Sequence, residues 1–312
     1  MTTTVKIIQK TKLLQFRRTK RKIDGILLLD KPIGYSSNQA LQKIKWLFQA
    51  TKAGHTGTLD PLATGLLPIC LGEATKFAQH VTDADKTYIA NIKFGIQTKT
   101  GDAEGDVVST KPVNITTVEL EQACQQFLGE VSQVPPMYSA LKHKGKPLYK
   151  YARDGIEVER PARQVTITKI AVDSFISDEV IITVSCSKGT YIRTLAEDIA
   201  NTLDNHAHLT GLRRIETAGY DIADAMTIEA VEALAMELRD AQLLPVDSAI
   251  SILPKITISA DSAFYFKQGQ AVWEAGSIPD GELRVYAKDG VFLGLGRLLE
   301  DGKIIAKRLV HL

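Results

Sequence analysis

The sequence predicts a mixed α/β (α+β) fold followed by a small β-rich unit. Three observations support this prediction. Short apolar or alternating segments typical of strands occur along the chain, and segments with helical spacing of apolar residues lie between them. Beyond Leu244-Pro245, the pattern changes to short strands separated by Asp-Gly turns. We therefore expect a large α/β body with a C-terminal β appendage.

The first half of the chain supplies two strands and two helices, each marked by its own start or stop signal. In chain order they are a buried strand at Gly25–Asp30, a helix capped within Ser36–Asn38 that buries Leu41, Ile44, Leu47 and Phe48, a strand at Tyr88–Gly95, and a helix that begins at the capping box Thr116-x-x-Glu119.

The second half predicts a hairpin, a helix and a group of short strands. The hairpin pairs Val165–Val172 with Glu179–Cys186 across Ser177-Asp178. The helix follows Gly189-Thr190 and buries Ile192, Leu195, Ala196, Ile199 and Leu203. The short strands are Val285–Ala287, Val291–Leu295 and Ile304–Lys307, and they lie beside the turns Asp289-Gly290 and Asp301-Gly302.

Length and composition favour a soluble globular protein of two domains. The 312 residues are 44% hydrophobic and 24% charged, and no apolar run reaches the ~20 residues of a membrane span. The N-terminus lacks the apolar core of a secretory signal. Cys70, Cys124 and Cys186 form no CxxC pair, which argues against a disulfide framework and a zinc site. A reducing cytoplasm is the predicted compartment.

Basic residues are concentrated in two places. Residues 1–24 contain eight Lys or Arg and one acid, whereas the remainder contains 30 basic and 35 acidic residues. The second basic segment, about residues 135–163, has seven basic and three acidic residues interleaved with Tyr138, Tyr149 and Tyr151. Bases that neutralise phosphates beside rings that stack on nucleobases are typical of an RNA-binding surface. A plain solvated tail and an ordinary loop are the alternatives. The candidate RNA-backbone contacts are Lys142, Lys144, Lys146, Lys150 and Arg153.

The glycine-rich segment Gly54–Gly65 presents a single carboxylate, Asp60, immediately before Pro61. The local sequence is typical of a helix start, with Asp60 as N-cap and Pro61 as the first helical residue. The alternative is covalent chemistry, because a lone presented carboxylate can act as a nucleophile. Both interpretations are compatible, since a helix N-terminus helps to keep a carboxylate ionised.

A strand-to-helix junction further along the chain carries Tyr191 and Arg193, away from the apolar stripe of the helix. Arg193 can be a surface residue and Tyr191 a residue at the edge of the core. Arginine is also the natural partner of a lone carboxylate, because its planar guanidinium can hold that group ionised and oriented.

Four motifs in order resemble the TruB family of pseudouridine synthases, and the resemblance covers nearly the whole chain. They are Gly25–Pro32, Gly54–Leu67, Lys86-Thr87-Tyr88 and Ser187–Arg193. The resemblance implies a pseudouridine synthase fold with a central, mostly antiparallel sheet, an inserted RNA-gripping segment and a C-terminal PUA-like β-barrel. It also implies isomerisation of uridine at position 55 in the TΨC loop of tRNA, with neither cofactor nor metal.

The resemblance assigns roles to individual residues. Asp60 matches the catalytic aspartate and Arg193 its ion-pair partner. Tyr88 matches the tyrosine that packs on the target base and is a candidate to remove the C5 proton. The remaining substrate-binding matches are His55, which occupies space left by the flipped nucleotide, Tyr191 and Leu212.

The predicted organisation is a basic arm at 1–24, a catalytic domain at 25–250 and an RNA-binding domain at 251–312. The expected partner is the T-arm stem-loop of tRNA, bound by a monomer. Two alternatives remain open. One is a guide-RNA-dependent synthase that works inside an RNA-protein particle, and the other is a tRNA-folding chaperone in which Asp60 is only a cap.

Overall fold

A computed structural model describes residues 20–276 and 278–311, and two sheets dominate this part of the chain. The strands are β1 Gly25–Lys31, β2 Ala53–His55, β3 Ala63–Leu71, β4 Lys86–Phe94, β5 Ile96–Thr98, β6 Val107–Thr110, β7 Gly129–Gln133, β8 Lys142–His143, β9 Lys146–Pro147, β10 Arg163–Ile176, β11 Glu179–Cys186, β12 Ala207–Thr217, β13 Tyr220–Asp221, β14 Met226–Thr227, β15 Lys255–Ile258, β16 Val272–Trp273, β17 Glu282–Ala287, β18 Phe292–Leu298 and β19 Lys303–Leu309.

Helices pack against these sheets. They are α1 Ser37–Leu47, α2 Ala78–Asp83, α3 Thr117–Gln125, α4 Leu148–Arg153, α5 Ile192–Thr202, α6 Ile228–Ala233, α7 Met236–Asp240 and α8 Ala260–Lys267, with 3₁₀ turns at Gly72–Lys76, Ile222–Asp224 and Val246–Ile250.

The large sheet has the strand order β14-β1-β3-β12-β4-β11-β10-β7, with β2 and β13 paired at its side. Most neighbours are antiparallel, while β14 pairs with β1 and β12 with β3 in parallel. β12 lies between β3 and β4, although it follows both by more than a hundred residues. The centre of the sheet therefore joins segments from the two ends of the α/β body. The prediction of a mixed fold with a mostly antiparallel sheet is confirmed.

The capping signals in the sequence form as predicted. Ser36 caps α1 and closes a capping box with Gln39, and Thr116 does the same for α3 with Glu119. Such caps satisfy amide groups that the first turn of a helix leaves without partners. The apolar face of α3 packs with α5 in one core, and that of α1 packs with α6 in another.

The C-terminal sheet, in the order β15-β17-β18-β19-β16, curls into a half-barrel with α8 packed in it. Both Asp-Gly turns connect neighbouring strands, as predicted. Phe292 and Tyr286 from this sheet pack in the same apolar cluster as Phe77 of the α/β body, with the Phe77 and Phe292 ring centroids 5.8 Å apart. This unit is therefore fixed to the body through a shared core.

The basic arm is only partly within the described residues. Lys6, Lys10, Lys12, Arg17 and Arg18 lie outside them. At the end of the arm, the Arg21 guanidinium forms two hydrogen bonds of 2.5 Å with the carboxylate of Asp240. That residue of the arm is therefore part of the folded body.

The prediction of a helix after Asp60 is wrong. Residues 58–62 form an irregular loop, and Ala63 begins β3, which pairs with β1 in an antiparallel register from Gly65 to Leu71. The Asp-Pro step suits a helix start and a loop equally well, and long-range pairing of β3 decides between them. Asp60 therefore has no helix dipole behind it, and its charge must be stabilised by other groups.

Gly65 is required where β3 meets β12. Its φ is +99°, and a Cβ built there would lie 2.2 Å from the carbonyl oxygen of Arg214. We predict that Gly65→Ala lowers the free energy of unfolding by at least about 3 kcal/mol, because overlap adds to backbone strain. Urea unfolding measures the loss. The control is Gly290→Ala, which has φ +85° and open space around its Cβ, and for which we expect about 1 kcal/mol. Equal losses would contradict the argument.

Candidate active site

A cavity of about 610 Å³ opens between the loop 57–62, the first residues of α5, the strands β4 and β12, and residues 139–141 at the start of the basic insertion. Its volume is within the roughly 300–1,000 Å³ range of small-molecule sites. Asp60, Tyr88, Tyr191, Arg193 and Leu212 all line it. Five of the six residues that the sequence nominated for catalysis or base binding therefore meet in one place.

The loop that carries Asp60 is held by hydrogen bonds to neighbouring backbone and side-chain groups. The Ser37 hydroxyl accepts from the Leu59 amide at 2.8 Å and donates to the Leu59 carbonyl at 3.0 Å. The Gly34 amide donates to the Pro61 carbonyl at 2.9 Å. These contacts fix the backbone on both sides of Asp60, whose side chain remains 47% exposed towards the cavity.

Arg193 is buried, with 7% of its surface exposed, and it binds two carboxylates. Its Nη2 lies 3.1 Å from Asp60 Oδ2, and its Nη1 lies 3.3 Å from Asp102 Oδ2. The same two nitrogens also donate to the carbonyls of Thr100 at 2.9 Å and Tyr138 at 2.7 Å. A buried guanidinium with these partners is fully oriented, and it places a positive charge beside the carboxylate in the cavity.

Asp102 is the residue that sequence reasoning missed. It lies in a polar turn after β5, buried, with its carboxylate accepting from the Thr100 hydroxyl and from the Glu104 amide at 3.1 Å. Nothing in the run from Thr98 to Asp106 distinguishes it from ordinary loop acids. Only the pairing of the turn with β12, through the bridge of Asp102 with Leu209, brings it to Arg193.

Two tyrosines and a leucine form the apolar walls of the cavity. Burial raises the pKa of Tyr88, and the neighbouring Arg214 guanidinium partly opposes this effect. Burial also raises the pKa of Tyr191, whose backbone is held by Gln133 through bonds of 2.7 Å and 3.1 Å. Both hydroxyls are therefore neutral at pH 7. Leu212 lies on β12 opposite Ala63 of β3 and Ala90 of β4.

His55 lies apart from this group. It ends β2, opposite Ile69, and does not line the cavity. Burial and the Arg214 charge lower its pKa, and its Nδ1 is buried without a hydrogen-bond partner. The role of His55 in binding substrate remains a prediction.

The rim and floor of the cavity are basic. Lys86, Arg163, Lys188, Arg193 and Arg214 line it. Burial lowers the pKa of Lys86 to about 8, and its ammonium donates to carbonyls at the end of α2, including Thr82 at 2.6 Å. Lys188 pairs with Asp83 at 3.0 Å. Five basic side chains therefore line the cavity that holds Asp60.

The insertion between β7 and β10 forms a hairpin of β8 and β9 followed by α4. β7 and β10 pair with each other, so the segment leaves and re-enters the sheet at one edge, as its flanking strands predicted. Lys142, Lys144, Lys150 and Arg153 are exposed, whereas the Lys146 ammonium already pairs with Asp154 at 2.6 Å. The guanidinium of Arg153 also stacks over the ring of Tyr149. The five candidate cations are therefore not equally available.

Among the described residues, no three His, Cys, Asp or Glu side chains are arranged to hold a metal ion. The three cysteines are buried and unpaired. No helix in residues 20–276 or 278–311 combines the length and apolar character needed to cross a bilayer.

Known proteins and family models match nearly the whole length of this chain. Its residues 45–192 match the family model of the TruB family pseudouridylate synthase N-terminal domain. Residues 193–251 match the tRNA pseudouridylate synthase B C-terminal domain, and residues 254–310 match the model "Pseudouridine synthase II TruB, C-terminal". A protein of Methylobacillus flagellatus named tRNA pseudouridine synthase B is 56% identical over 298 residues, which cover 96% of this chain and 99% of the relative.

The chain belongs to the TruB family of pseudouridine synthases.

Other members of the TruB family show similar agreement. Proteins named tRNA pseudouridine synthase B from Neisseria meningitidis serogroup B and Pseudomonas aeruginosa are 52% and 49% identical. The alignments cover 90% and 95% of this chain, and 92% and 99% of those proteins.

Solved structures agree with the fold. One described as the crystal structure of a Cbf5-Nop10-Gar1 complex superposes with a TM-score of 0.69 at 25% identity, covering 92% of this chain and 84% of that one. A second, an archaeal box H/ACA sRNP Nop10-Cbf5 complex, has a TM-score of 0.68 at 22% identity and covers 92% and 85% of the two chains. The pseudouridine synthase fold predicted from the motifs is therefore confirmed.

Glu197 lies one turn after Arg193 on α5, behind the ion pairs of the site. Burial and the neighbouring Asp198 raise its pKa from 4.5 to about 7. Between pH 4.5 and about pH 7, the Glu197 carboxyl is ionised in the unfolded chain and protonated in the folded chain. The free energy of unfolding of the wild type therefore falls as the pH rises through this range. We predict that Glu197→Gln raises the Tm relative to wild type at pH 8 and not at pH 4.

The matched control is Glu121→Gln on the exposed side of α3, which we expect to leave Tm unchanged at both pH values. Differential scanning calorimetry at the two pH values makes the comparison. A Glu197→Gln effect of equal size at pH 4 and pH 8 would show that the effect does not come from ionisation.

Proposed function

We propose that this protein converts uridine to pseudouridine at position 55 in the TΨC loop of tRNA, with Asp60 as nucleophile and without a cofactor. The observation that carries the proposal is the ion pair of Asp60 with the buried Arg193 in a cavity walled by Tyr88, Tyr191 and Leu212. The tRNA substrate is supported by relatives named tRNA pseudouridine synthase B at 49–56% identity.

The chemistry needs few polar groups. The bond between N1 and C1′ breaks, the base turns, and C5 joins C1′, with no redox change and no added atom. An ionised carboxylate can assist by adding to C6, by attacking C1′, or by removing a sugar proton to form a glycal. Each route requires Asp60 without its proton, and the Arg193 guanidinium at 3.1 Å supplies the positive charge beside it.

The substrate base must leave its stack to reach Asp60. Base flipping costs a few kcal/mol, which contacts elsewhere on the RNA must supply. Tyr88 and Tyr191 would provide aromatic faces for the flipped uracil, and Leu212 would add an apolar contact from β12. His55 is half-buried, and it would contact the RNA outside the cavity through the exposed part of its ring.

Phosphate contacts supply that binding energy in the proposal. Lys142, Lys144, Lys150 and Arg153 project from the insertion, whose first residues border the cavity. Residues 25–250 would perform catalysis, and residues 251–312 would add a second RNA contact. A protein of this kind needs no partner chain, so we expect a monomer.

A guide-dependent reaction is the second candidate, because the chain shares its fold with a chain from a structure described as an archaeal box H/ACA sRNP Nop10-Cbf5 complex. The two candidates differ in one requirement, the presence of a guide RNA. A T-arm stem-loop incubated with the purified protein alone distinguishes them.

We predict that wild type releases tritium from a T-arm stem-loop labelled at uridine C5, without any guide RNA. Asp60→Asn and Asp60→Ala should lower the single-turnover rate by at least about 1,000-fold, because the nucleophile is lost. Both variants should still bind the stem-loop, since the phosphate contacts are unchanged. No release by wild type, or release by the Asp60 variants at the rate of wild type, would refute the proposal.

Salt dependence tests the insertion. Lys142→Ala combined with Lys144→Ala should weaken binding and flatten the plot of log K against log salt by about 1 per lost phosphate contact. Lys146→Ala is the matched control, because its ammonium is already paired with Asp154 and its loss should change the slope less. Filter binding from low to moderate salt measures the slopes. An unchanged slope in the double variant would exclude the insertion from the RNA interface.

A further inference from the structure

Arg214 is a buried cation whose partners are all uncharged. It is 1% exposed, and its Nε donates to the carbonyl of Leu66 at 2.7 Å while its Nη2 donates to that of Gly57 at 3.3 Å. No carboxylate of residues 20–276 or 278–311 forms an ion pair with it. Burying a guanidinium without an anion is costly. Such a cation is available to stabilise a negative charge that arises during a reaction.

The register of the sheet selects the group that could acquire this charge. Arg214 of β12 and Tyr88 of β4 are directly opposite each other, so their side chains leave the same face of the sheet. The Arg214 guanidinium is close enough to lower the pKa of the Tyr88 hydroxyl, and both residues line the cavity. On the other side of β12, Gly65 of β3 allows β3 and β12 to approach each other closely.

The same guanidinium also holds the loop that leads to Asp60. Its bond to the Gly57 carbonyl reaches that loop, and its bond to the Leu66 carbonyl reaches β3, the strand that follows the loop. The Arg214 side chain therefore contacts the loop that carries Asp60 and lies beside Tyr88.

The last step of the proposed isomerisation requires a base. The C5–H bond breaks, its electron pair becomes the C5=C6 double bond, the N1=C6 pair returns to N1, and N1 gains a proton. The Tyr88 hydroxyl, which is neutral at pH 7, first releases its proton to solvent, and the resulting phenolate then accepts the C5 proton and becomes a phenol again. A neutral phenol cannot accept that proton. An adjacent positive charge favours the phenolate.

We propose that Arg214 is a positioning residue that holds the Tyr88 hydroxyl in the cavity and stabilises its ionised form when the C5 proton is removed. This inference rests on the proposed function, in which Tyr88 meets the flipped base.

Other charged and titratable groups near Tyr88 act in both directions. Asp60 from its loop and Cys186 from β11 raise the pKa of Tyr88, as burial does, whereas Arg214 lowers it. Lys86, two residues earlier on β4, is buried on the same face and has a pKa of about 8. Arg214 is therefore the group that offsets the neighbouring carboxylate and the low polarity.

The experiment measures single-turnover pseudouridine formation in a T-arm stem-loop as a function of pH for wild type, Arg214→Met and Arg214→Lys. Loss of an adjacent charge changes the ionised fraction of Tyr88 by about 10- to 1,000-fold. We expect the single-turnover rate of Arg214→Met at pH 7.5 to be lower than that of wild type by a factor in that range. The pH at which the rate of this variant rises should be higher than for wild type. Arg214→Lys, which retains the charge, should lie close to wild type in pH dependence.

An isotope effect isolates the proton-removal step. With uridine deuterated at C5, Arg214→Met should show a larger primary isotope effect than wild type, because removal of that proton becomes rate-limiting. Arg213→Met is the matched control. Arg213 is the next residue, it pairs with Asp30 at 2.7 Å, and its loss should leave the isotope effect and the pH dependence unchanged.

A more acidic phenol distinguishes charge from structure. Incorporation of 3,5-difluorotyrosine at position 88 should restore the rate of Arg214→Met at pH 7.5, and in the wild-type background it should move the rise in rate to lower pH. The measurement in the wild-type background can be made even if Arg214→Met does not fold. If wild type is active but difluorotyrosine shifts neither profile, the inference is overturned while the proposed function stands. If wild type itself is inactive on the stem-loop, the proposed function fails.

Discussion

The site depends on one buried guanidinium, that of Arg193. It binds Asp60 and Asp102 together with the carbonyls of Thr100 and Tyr138, and so joins the Asp60 loop, the turn after β5 and the start of the basic insertion. A buried charge with four oriented partners is stable only while all of them are in place. Asp60, Asp102 and the first residues of the basic insertion are therefore held together by a single side chain.

The central sheet explains how this arrangement forms. β12 lies between β3 and β4, and it brings Leu212 and Arg214 between the Asp60 loop and Tyr88. The close approach requires Gly65, because a Cβ there would overlap the backbone of Arg214. Tyr88, Tyr191 and Leu212 supply the apolar part of the cavity lining.

Charge on the insertion is already divided between internal pairs and free groups. Lys146 is paired with Asp154 and Arg160 with Glu157, whereas Lys142 and Lys144 are exposed at the hairpin. Paired cations support the shape of the insertion, and exposed ones can release counterions on meeting phosphate. A count of basic residues in the sequence would therefore overstate the number of RNA contacts.

Local sequence alone determined the elements whose signals are short-range: the capping boxes at Ser36 and Thr116, the Asp-Gly turns, and the hairpin ending in Cys186. The four motifs also identified the family and nominated Asp60, Tyr88 and Arg193. The tertiary structure decided that no helix follows Asp60, that Asp102 shares Arg193, and that Arg214 faces Tyr88. Each of these three results depends on pairing between strands or turns that are distant in the sequence. The residues next to each partner in the sequence contain no signal for that pairing.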